Sequence, residues 1–248
     1  MLFFTLLRKA ERGAIMEKTT LRIPMDDIYE EEGIPHYIKS YMFLKGYSVG
    51  KDLPQMKMAL SLARKLHDGQ YRKDGSPYLQ HPLKVCSTLI SYGIEDDVTL
   101  SAALLHDALE DCLDKLPQRG EELCTKYHLS TEILDIVKLL TKRSGLNDDE
   151  LNIYFRNIED NPKAALIKLA DRLHNSSTLY TFTPKKMRKY IRETDLFLLP
   201  MASYCKKFYP EYGNAFGILK TGIEGMNRSM DVMLQKIEEQ ENITQSSV

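Results

Sequence analysis

The stretch Leu100-Ser-Ala-Ala-Leu-Leu-His-Asp-Ala-Leu-Glu-Asp111 begins with an apolar run and ends with two pairs of polar residues. The pairs are His106-Asp107 and Glu110-Asp111. Unpaired charges are costly to bury, and divalent metals are partners that bind both imidazoles and carboxylates. An apolar helix that becomes polar only in its last turn is typical of a buried helix that ends at a cavity. The stretch therefore predicts a buried helix with a metal site at its end.

A second stretch, from Pro162 to Leu179, has the same design. At about 100° per residue, several of its residues share one stripe of the helix, which begins apolar and ends polar. The stripe contains Ala164, Ile167, Asp171, Asn175 and Thr178. Asp171 and Asn175 are four residues apart and therefore stack on one face. Two buried helices that both become polar in this way can share one site between them.

A divalent metal needs further ligands, and His81 is a candidate. It follows a turn-rich loop, His67 to Pro82, and starts a helical pattern. With His106, Asp107 and Asp171 it gives two imidazoles and two carboxylates. Such a mixed nitrogen and oxygen set suits Mn, Fe, Co or Zn better than Ca.

The rest of the chain predicts an all-α fold. No run alternates with period two for long enough to indicate a sheet. Helical patterns recur near residues 53–67, 81–93, 96–112, 117–127, 130–141, 148–159, 161–181 and 184–207. We expect residues 1–15 to be an upstream-start extension or a disordered arm, with Met16 as the alternative start. We expect the last dozen residues, which are polar, to be frayed.

Composition limits the partners. The chain has 34 Lys and Arg against 35 Asp and Glu, which argues against a broad surface for nucleic acid or for a membrane. Its 4 cysteines form no CxxC pair, which indicates free thiols in a reducing compartment. No segment reaches the length of a membrane span. We therefore expect a soluble, cytoplasmic protein without nucleic-acid or membrane partners.

Three motifs together resemble the hydrolase domain of the RelA/SpoT-homologue enzymes, an HD-superfamily phosphohydrolase domain. The motifs are His67-Asp-Gly-Gln-Tyr-Arg-Lys-Asp-Gly-Ser-Pro-Tyr-Leu-Gln-His-Pro82, Leu104-Leu-His-Asp-Ala-Leu-Glu-Asp111 and Ile167-Lys-Leu-Ala-Asp-Arg-Leu-His-Asn175. They stand in the order of that family, and the resemblance covers roughly residues 50–200.

The resemblance implies an HD-domain helical bundle over residues 51–205. Residues 1–50 would be an N-terminal extension and 206–248 a C-terminal helical extension with a polar tail, both candidates for homo-oligomerisation or regulation. It also implies Mn²⁺ as the metal and the guanine nucleotides ppGpp and pppGpp as substrates, hydrolysed to GDP or GTP and pyrophosphate. Longer family members continue into a synthetase domain, for which this chain ends too soon, so we expect hydrolysis without synthesis.

The resemblance also assigns roles to single residues. His81, His106, Asp107 and Asp171 would hold the metal, and Glu110 and Asp111 would activate water. The residues that would contact the nucleotide are Arg72, against the guanine, and Lys73, Asn175 and Thr178. We expect His67 to support the loop, and His174 to pack or to contact a ligand.

Two departures from the family pattern bear on the substrate. Ser176-Ser177 stands where Met-Arg is common, and Asp74 stands where Ser is frequent. One alternative is therefore an HD phosphohydrolase that acts on another nucleotide, such as NADPH or a nucleoside phosphate. Another is a binding module with a vestigial site, against which the intact metal and acid residues count.

Overall fold

The computed structural model describes residues 36–116 and 118–246 of the 248-residue chain. Within these residues the chain is helical, and one isolated backbone bridge joins Tyr71 to Pro77 in a loop. The predicted all-α fold is confirmed. None of the described helices is both long and apolar enough to cross a membrane. The expectations for residues 1–15 and for the start at Met1 or Met16 lie outside the described residues.

The helices are α1 (His36–Gly50), α2 (Pro54–Leu66), α3 (Gln80–Ser91), α4 (Asp97–Leu105), α5 (Ala108–Asp111), α6 (Glu122–Thr125), α7 (Thr131–Leu140), α8 (Asp148–Glu159), α9 (Pro162–Ser176), α10 (Pro184–Glu193), α11 (Leu199–Phe208) and α12 (Gly213–Ser246). A π-helical segment, Thr194–Leu198, joins α10 to α11. Short 3₁₀ turns lie at Leu179–Thr181 and Pro210–Tyr212.

Helix α4 is the buried helix that the apolar run predicts. It begins after Asp96, whose Oδ1 accepts a hydrogen bond from the backbone N–H of Thr99 at 2.9 Å and caps the helix. Every residue from Thr99 to Leu105 is buried. The helix packs against α2, α3 and α7, so its C-terminal end lies inside the bundle.

Helix α9 is the central helix of the bundle. Asn161 caps it by accepting the backbone N–H of Ala164 at 3.1 Å, and Pro162 occupies its first turn, where a missing N–H is tolerated. The helix packs against α3, α4, α7, α8, α11 and α12. The polar ends of α4 and α9 therefore meet in the interior of the fold.

The helix predicted over residues 96–112 is not continuous, which corrects the sequence analysis. Helix α4 ends at Leu105, and Asp107 has φ −93° and ψ −2°, a sparsely populated backbone region in which many active-site residues lie. A single turn, α5, follows. The side chains of His106, Asp107, Glu110 and Asp111 therefore do not follow one continuous helix, and contacts with other elements orient them instead.

Two other predicted helices end early because side chains compete for backbone groups. Helix α9 ends at Ser176, where the hydroxyl of Ser177 donates to the carbonyl oxygen of His174 at 2.6 Å. The predicted helix over 184–207 is interrupted by the π-helical segment, where the hydroxyl of Thr194 donates to the carbonyl oxygen of Tyr190 at 2.9 Å.

The chain around 117–127 and the C-terminal region also differ from the predictions. Over 117–127 only the turn of α6 is helical within the described residues. The C-terminal region, predicted to fray, is helical as far as Ser246. Arg188 on α10 donates from Nε to Oε1 of Glu238 at 2.6 Å and ties this part of α12 to the bundle. All four cysteines are free, as expected.

Candidate metal centre and active site

Four side chains from different elements converge at the junction of α4 and α9. His81 lies in the first turn of α3, His106 and Asp107 lie between α4 and α5, and Asp171 lies on α9. The Nε2 atoms of His81 and His106 are 3.1 Å apart, and Oδ1 of Asp171 is 3.2 Å from Nε2 of His81. Asp107 places Oδ1 at 3.2 Å from His106 Nε2 and Oδ2 at 3.3 Å from His81 Nε2. The structure thus brings together all four residues that the sequence offered as ligands.

The cluster has the charge and burial that fit a divalent cation. Asp171, His81 and His106 are buried, and one ligand atom from each lies within 4.8 Å of the others. Burial alone would lower the pKa of His106, but the carboxylates of Asp107 and Asp171 outweigh it and raise that pKa to about 9. The buried carboxylate of Asp171 and the half-buried carboxylate of Asp107 therefore attract positive charge, which a divalent metal bound to neutral imidazoles would supply.

Hydrogen bonds orient both imidazoles towards the cluster. Nδ1 of His106 donates to the carbonyl oxygen of Ala103 at 2.8 Å, which leaves Nε2 to face Asp107 and Asp171. Nδ1 of His81 is 2.8 Å from Nδ1 of His174. Burial, followed by the neighbouring His81, lowers the pKa of His174 to about 3, so His174 is neutral and can accept this hydrogen bond. Such contacts set the tautomer of a metal-binding histidine. His174 thus contacts one of the predicted ligands, and its role beside a metal stays a prediction.

Glu110 and Asp111 lie on the turn that follows the cluster. Oε1 of Glu110 accepts the backbone N–H of Lys142 at 2.5 Å, which fixes the carboxylate although part of the side chain is exposed. Burial of the carboxyl raises the pKa of Glu110; the Lys142 N–H and the charge of Lys168 oppose this rise, and the charges of Asp107 and Asp171 add to it. A raised pKa suits a carboxylate that accepts a proton near neutral pH. Asp111 is exposed, and its Oδ2 is 2.5 Å from the hydroxyl of Tyr78.

Tyr78 is a residue of the site that the sequence analysis missed. Its hydroxyl also contacts Oδ2 of Asp107, at 2.8 Å, so it joins a predicted ligand to a predicted catalytic acid. Its ring stacks on His67 with 4.7 Å between the ring centroids. The signal in the sequence is its position three residues before His81, but an aromatic residue beside a histidine is more often a core residue.

Arg72 and Asn175 come together although they belong to different motifs. Nη2 of Arg72 donates to Oδ1 of Asn175 at 2.8 Å. Nδ2 of Asn175 donates to Oδ1 of Asp171 at 2.5 Å. The loop that carries Arg72 is therefore connected to the candidate metal-binding cluster through one amide group.

The other two predicted nucleotide contacts are less closely attached to the cluster. Lys73 is exposed, and its Nζ lies 5.2 Å from the ring centroid of Phe182. Thr178 is half-buried, and its hydroxyl donates to the carbonyl oxygen of Asn175 at 3.1 Å. Their contacts with a nucleotide remain predictions.

The loop between α2 and α3 is held by its own polar contacts. His67 donates from Nδ1 to Oε1 of Gln70 at 2.7 Å, which confirms its expected role as a loop support. Gly75 has φ +84°, a left-handed conformation that glycine adopts without strain. Oδ1 of Asp74 accepts the backbone N–H of Ser76 at 2.9 Å and its hydroxyl at 2.6 Å. The carboxylate of Asp74, which stands where the family pattern often has serine, is therefore hydrogen-bonded within the loop itself.

A cation beside the cluster and an ion-pair network close to it were also missed. Nζ of Lys168 is 3.1 Å from Oδ2 of Asp171. Glu193 accepts hydrogen bonds from Arg172 at 2.5 Å and from Lys142 at 2.8 Å. Lys168 and Arg172 belong to the third motif. Lys142 and Glu193 come from distant parts of the chain, so no local sequence pattern predicts that they lie close together.

Comparison with curated proteins finds relatives among nucleotide hydrolases. The bifunctional (p)ppGpp synthase/hydrolase SpoT of Escherichia coli K12 is 28% identical over 208 residues, which cover 78% of this chain and 29% of the relative. A guanosine-3′,5′-bis(diphosphate) 3′-pyrophosphohydrolase of Haemophilus influenzae is 35% identical over 147 residues, which cover 57% of this chain and 21% of the relative. The chain therefore spans less than a third of the length of these relatives.

A solved structure supports the fold. It is that of a metazoan ortholog of SpoT, described as hydrolysing ppGpp and acting in starvation responses. It matches with a TM-score of 0.52 and 23% identity, and the match covers 71% of this chain and 94% of that chain. At this identity the likeness establishes a shared fold.

The sequence family described as the HD domain matches residues 59–203, more than half of the chain. The matched region contains every helix that contributes to the cluster. It lies inside the range 51–205 expected for the domain, whose bounds remain predictions. The chain belongs to the HD domain family.

Proposed function

We propose that this chain is a metal-dependent hydrolase that converts ppGpp and pppGpp into GDP or GTP and pyrophosphate. One observation carries the proposal: a largely buried cluster of two histidines and two aspartates has a pair of carboxylates on one side, at Glu110 and Asp111, and is connected on the other to the loop of Arg72. The names of the relatives, which are (p)ppGpp hydrolases in Escherichia coli and Haemophilus influenzae, support the choice of substrate. The proposal includes a cytoplasmic location and a free guanine nucleotide as partner.

The proposed metal is Mn²⁺, held by His81, His106, Asp107 and Asp171. The donor set of two imidazoles and two carboxylates supports a first-row transition metal over Ca²⁺. When bound, such a metal supplies a Lewis acid that polarises a phosphoryl oxygen and lowers the pKa of a bound water.

In this proposal Glu110 is the general base. The backbone N–H of Lys142 fixes its carboxylate, and its raised pKa allows it to take a proton from water. The water oxygen adds to the phosphorus next to ribose O3′, and the bond between that phosphorus and O3′ breaks. The proton that Glu110 takes from water passes to the departing O3′, which becomes the 3′-hydroxyl group of GDP. Asp111, the neighbour of Glu110 on the same turn, would help to orient this water.

Arg72, Lys73, Asn175 and Thr178 are proposed to hold the nucleotide. A guanidinium plane stacks on a base, and an ammonium group pairs with phosphate as a point charge. The hydrogen bonds from Arg72 to Asn175 and from Asn175 to Asp171 would place the bound base in a fixed position relative to the metal-binding cluster.

The test is a substrate panel with the full chain and added Mn²⁺. The panel contains ppGpp, pppGpp, NADPH and GTP, and both pyrophosphate and phosphate are quantified. Asp107→Ala, which lacks one proposed ligand, serves as the matched control. We expect pyrophosphate from ppGpp and pppGpp with the wild type and none with the variant.

Two outcomes would contradict the proposal. Phosphate release from NADPH without turnover of ppGpp would move the assignment to another nucleotide. A metal-loaded protein that is inactive on the whole panel would favour a binding module. A parallel incubation with ATP and GTP tests the expectation that the chain makes no ppGpp.

A further inference from the structure

The hydroxyl of Tyr78 lies between two carboxylates that the proposed mechanism uses for different purposes. It is 2.8 Å from Oδ2 of Asp107 and 2.5 Å from Oδ2 of Asp111. Asp107 is a proposed metal ligand, and Asp111 belongs to the pair proposed to act on water. The hydroxyl of Tyr78 thus contacts both a proposed metal ligand and a residue proposed to act on water.

Neither carboxylate has a rigid helical position of its own. Asp107 lies at the break between α4 and α5, and Asp111 is exposed at the end of the single turn α5. Two ionised carboxylates near each other also repel. A phenol hydroxyl that shares its one proton between the two carboxylates relieves this repulsion. It also limits the directions in which each carboxylate can point.

Tyr78 itself is held firmly. Its ring stacks on the buried His67 at 4.7 Å and meets the ring of His81 edge-on at 6.0 Å. Its backbone N–H donates to the carbonyl oxygen of Gln70 at 2.8 Å. Packing therefore fixes the ring, and the loop fixes the backbone. The hydroxyl group is held in one place, where it contacts Asp107 and Asp111.

We propose that Tyr78 is a positioning residue, whose hydroxyl orients Asp107 as a metal ligand and Asp111 towards the reacting water. The role at Asp111 rests on the proposed function, whereas the role at Asp107 concerns metal binding alone. Partners that hydrogen-bond to metal ligands typically change metal affinity or activity about 10- to 100-fold when they are lost.

The variant that isolates the hydroxyl is Tyr78→Phe, because phenylalanine keeps the ring that packs on His67. The matched control is Tyr71→Phe, at an exposed tyrosine of the same loop. The first measurement is calorimetric titration of each protein with Mn²⁺ alone. We expect Tyr78→Phe to bind Mn²⁺ about 10-fold more weakly than the wild type, and Tyr71→Phe to bind it equally well. Wild-type affinity in Tyr78→Phe would overturn the role at Asp107.

The second measurement is a double-mutant cycle on ppGpp turnover at saturating Mn²⁺. We expect Tyr78→Phe to lower kcat about 10-fold with little change in KM, and to have no further effect in an Asp111→Asn background. An equal loss of kcat in both backgrounds would show independent effects and would overturn the role at Asp111. The metal titration needs no nucleotide, so it still decides the role at Asp107 if the wild type does not cleave ppGpp. Equal melting temperatures of the variants and the wild type exclude loss of fold as the cause.

Discussion

The guanidinium of Arg72 donates a hydrogen bond to the side-chain oxygen of Asn175 at 2.8 Å, across 103 positions of the chain. Asn175 is also hydrogen-bonded to Asp171, which belongs to the candidate metal-binding cluster. A change in the position of the loop is therefore transmitted to a proposed metal ligand through a single amide. In the proposed function, this connection would keep a nucleotide held by the loop aligned with the cluster.

Arg72→Lys tests the loop side of this connection. Lysine keeps the charge but loses the planar guanidinium group that donates to Asn175 and can stack on a base. We expect KM for ppGpp to rise about 10-fold, because the variant loses the guanidinium contact proposed for the nucleotide. The loss of one hydrogen bond to a charged group costs about 1.5 kcal/mol or more. Mn²⁺ affinity should change much less than KM, because Asn175 keeps its own hydrogen bond to Asp171. Arg143→Lys, at an exposed arginine, is the matched control, and an equal KM in both variants would contradict a role for Arg72 in nucleotide binding.

Asp107→Ala and Glu110→Gln should separate metal binding from proton transfer. Asp107 contacts both imidazoles of the cluster, so its loss should abolish Mn²⁺ binding and turnover together. Glu110 contacts the backbone of Lys142 instead, so Glu110→Gln should keep the metal and lose about 100-fold or more in kcat. Bound metal is counted by elemental analysis and kcat by pyrophosphate release. If Glu110→Gln retains most of its turnover, Glu110 is not the base.

Added Mn²⁺ should stabilise the folded protein. A ligand that binds only the folded state at 100 times its Kd contributes about 2.7 kcal/mol, which raises Tm by roughly 5–10 °C for a chain of this size. The measurement is a melting curve with and without Mn²⁺, followed by addition of a chelator, which should reverse the shift. Asp107→Ala should show no shift. A wild-type Tm that does not change when Mn²⁺ is added would contradict a metal site in the bundle.

Glu193→Ala should destabilise the fold, because it leaves the buried guanidinium of Arg172 without its carboxylate partner. Breaking a buried ion pair costs roughly 3–5 kcal/mol, which chemical denaturation can measure. The control is Glu121→Ala, whose ion pair with Lys138 is exposed and contributes at most about 1 kcal/mol. Equal losses of stability in the two variants would contradict this account.

The effect of Glu193 should also depend on pH. Burial alone would raise the pKa of Glu193, but the neighbouring Arg172 and Lys142 outweigh it and lower that pKa below its usual 4.5. The stabilisation of the fold by ionised Glu193 is therefore fully present above the pKa that Glu193 has in the unfolded chain. It is lost as pH falls through the lower pKa that Glu193 has in the folded protein. The difference in stability between wild type and Glu193→Ala should narrow in acid. A difference that is constant from neutral pH into acid would contradict this linkage.

The elements that carry the cluster could be predicted from the sequence because each has a local signal. The apolar run before His106 predicts a buried helix, and the stripe through Asp171 and Asn175 predicts a second one. The observed burial of α4 and α9 and their contact in the core agree with both patterns. His81 could be placed beside them because it follows a turn-rich loop and begins a helix.

The local geometry of the site could not be predicted because tertiary contacts determine it. The break at Asp107 places this residue against Tyr78, His81 and His106, and helical periodicity contains no information about such contacts. For the same reason the proximity of Glu193 to Lys142 could not be found, since 51 positions separate them. The role of Tyr78 was missed because its ring gives the same signal as a core aromatic residue.

The central claim, that this chain cleaves the 3′-pyrophosphate of ppGpp, is tested most directly by the products of one reaction. Mn²⁺-loaded wild type and Glu110→Gln are incubated with ppGpp, and GDP, pyrophosphate and phosphate are separated and quantified. The account predicts GDP and pyrophosphate in equal amounts from the wild type and almost none from Glu110→Gln. Release of single phosphates from ppGpp, or no release of GDP by metal-loaded wild type, would contradict it.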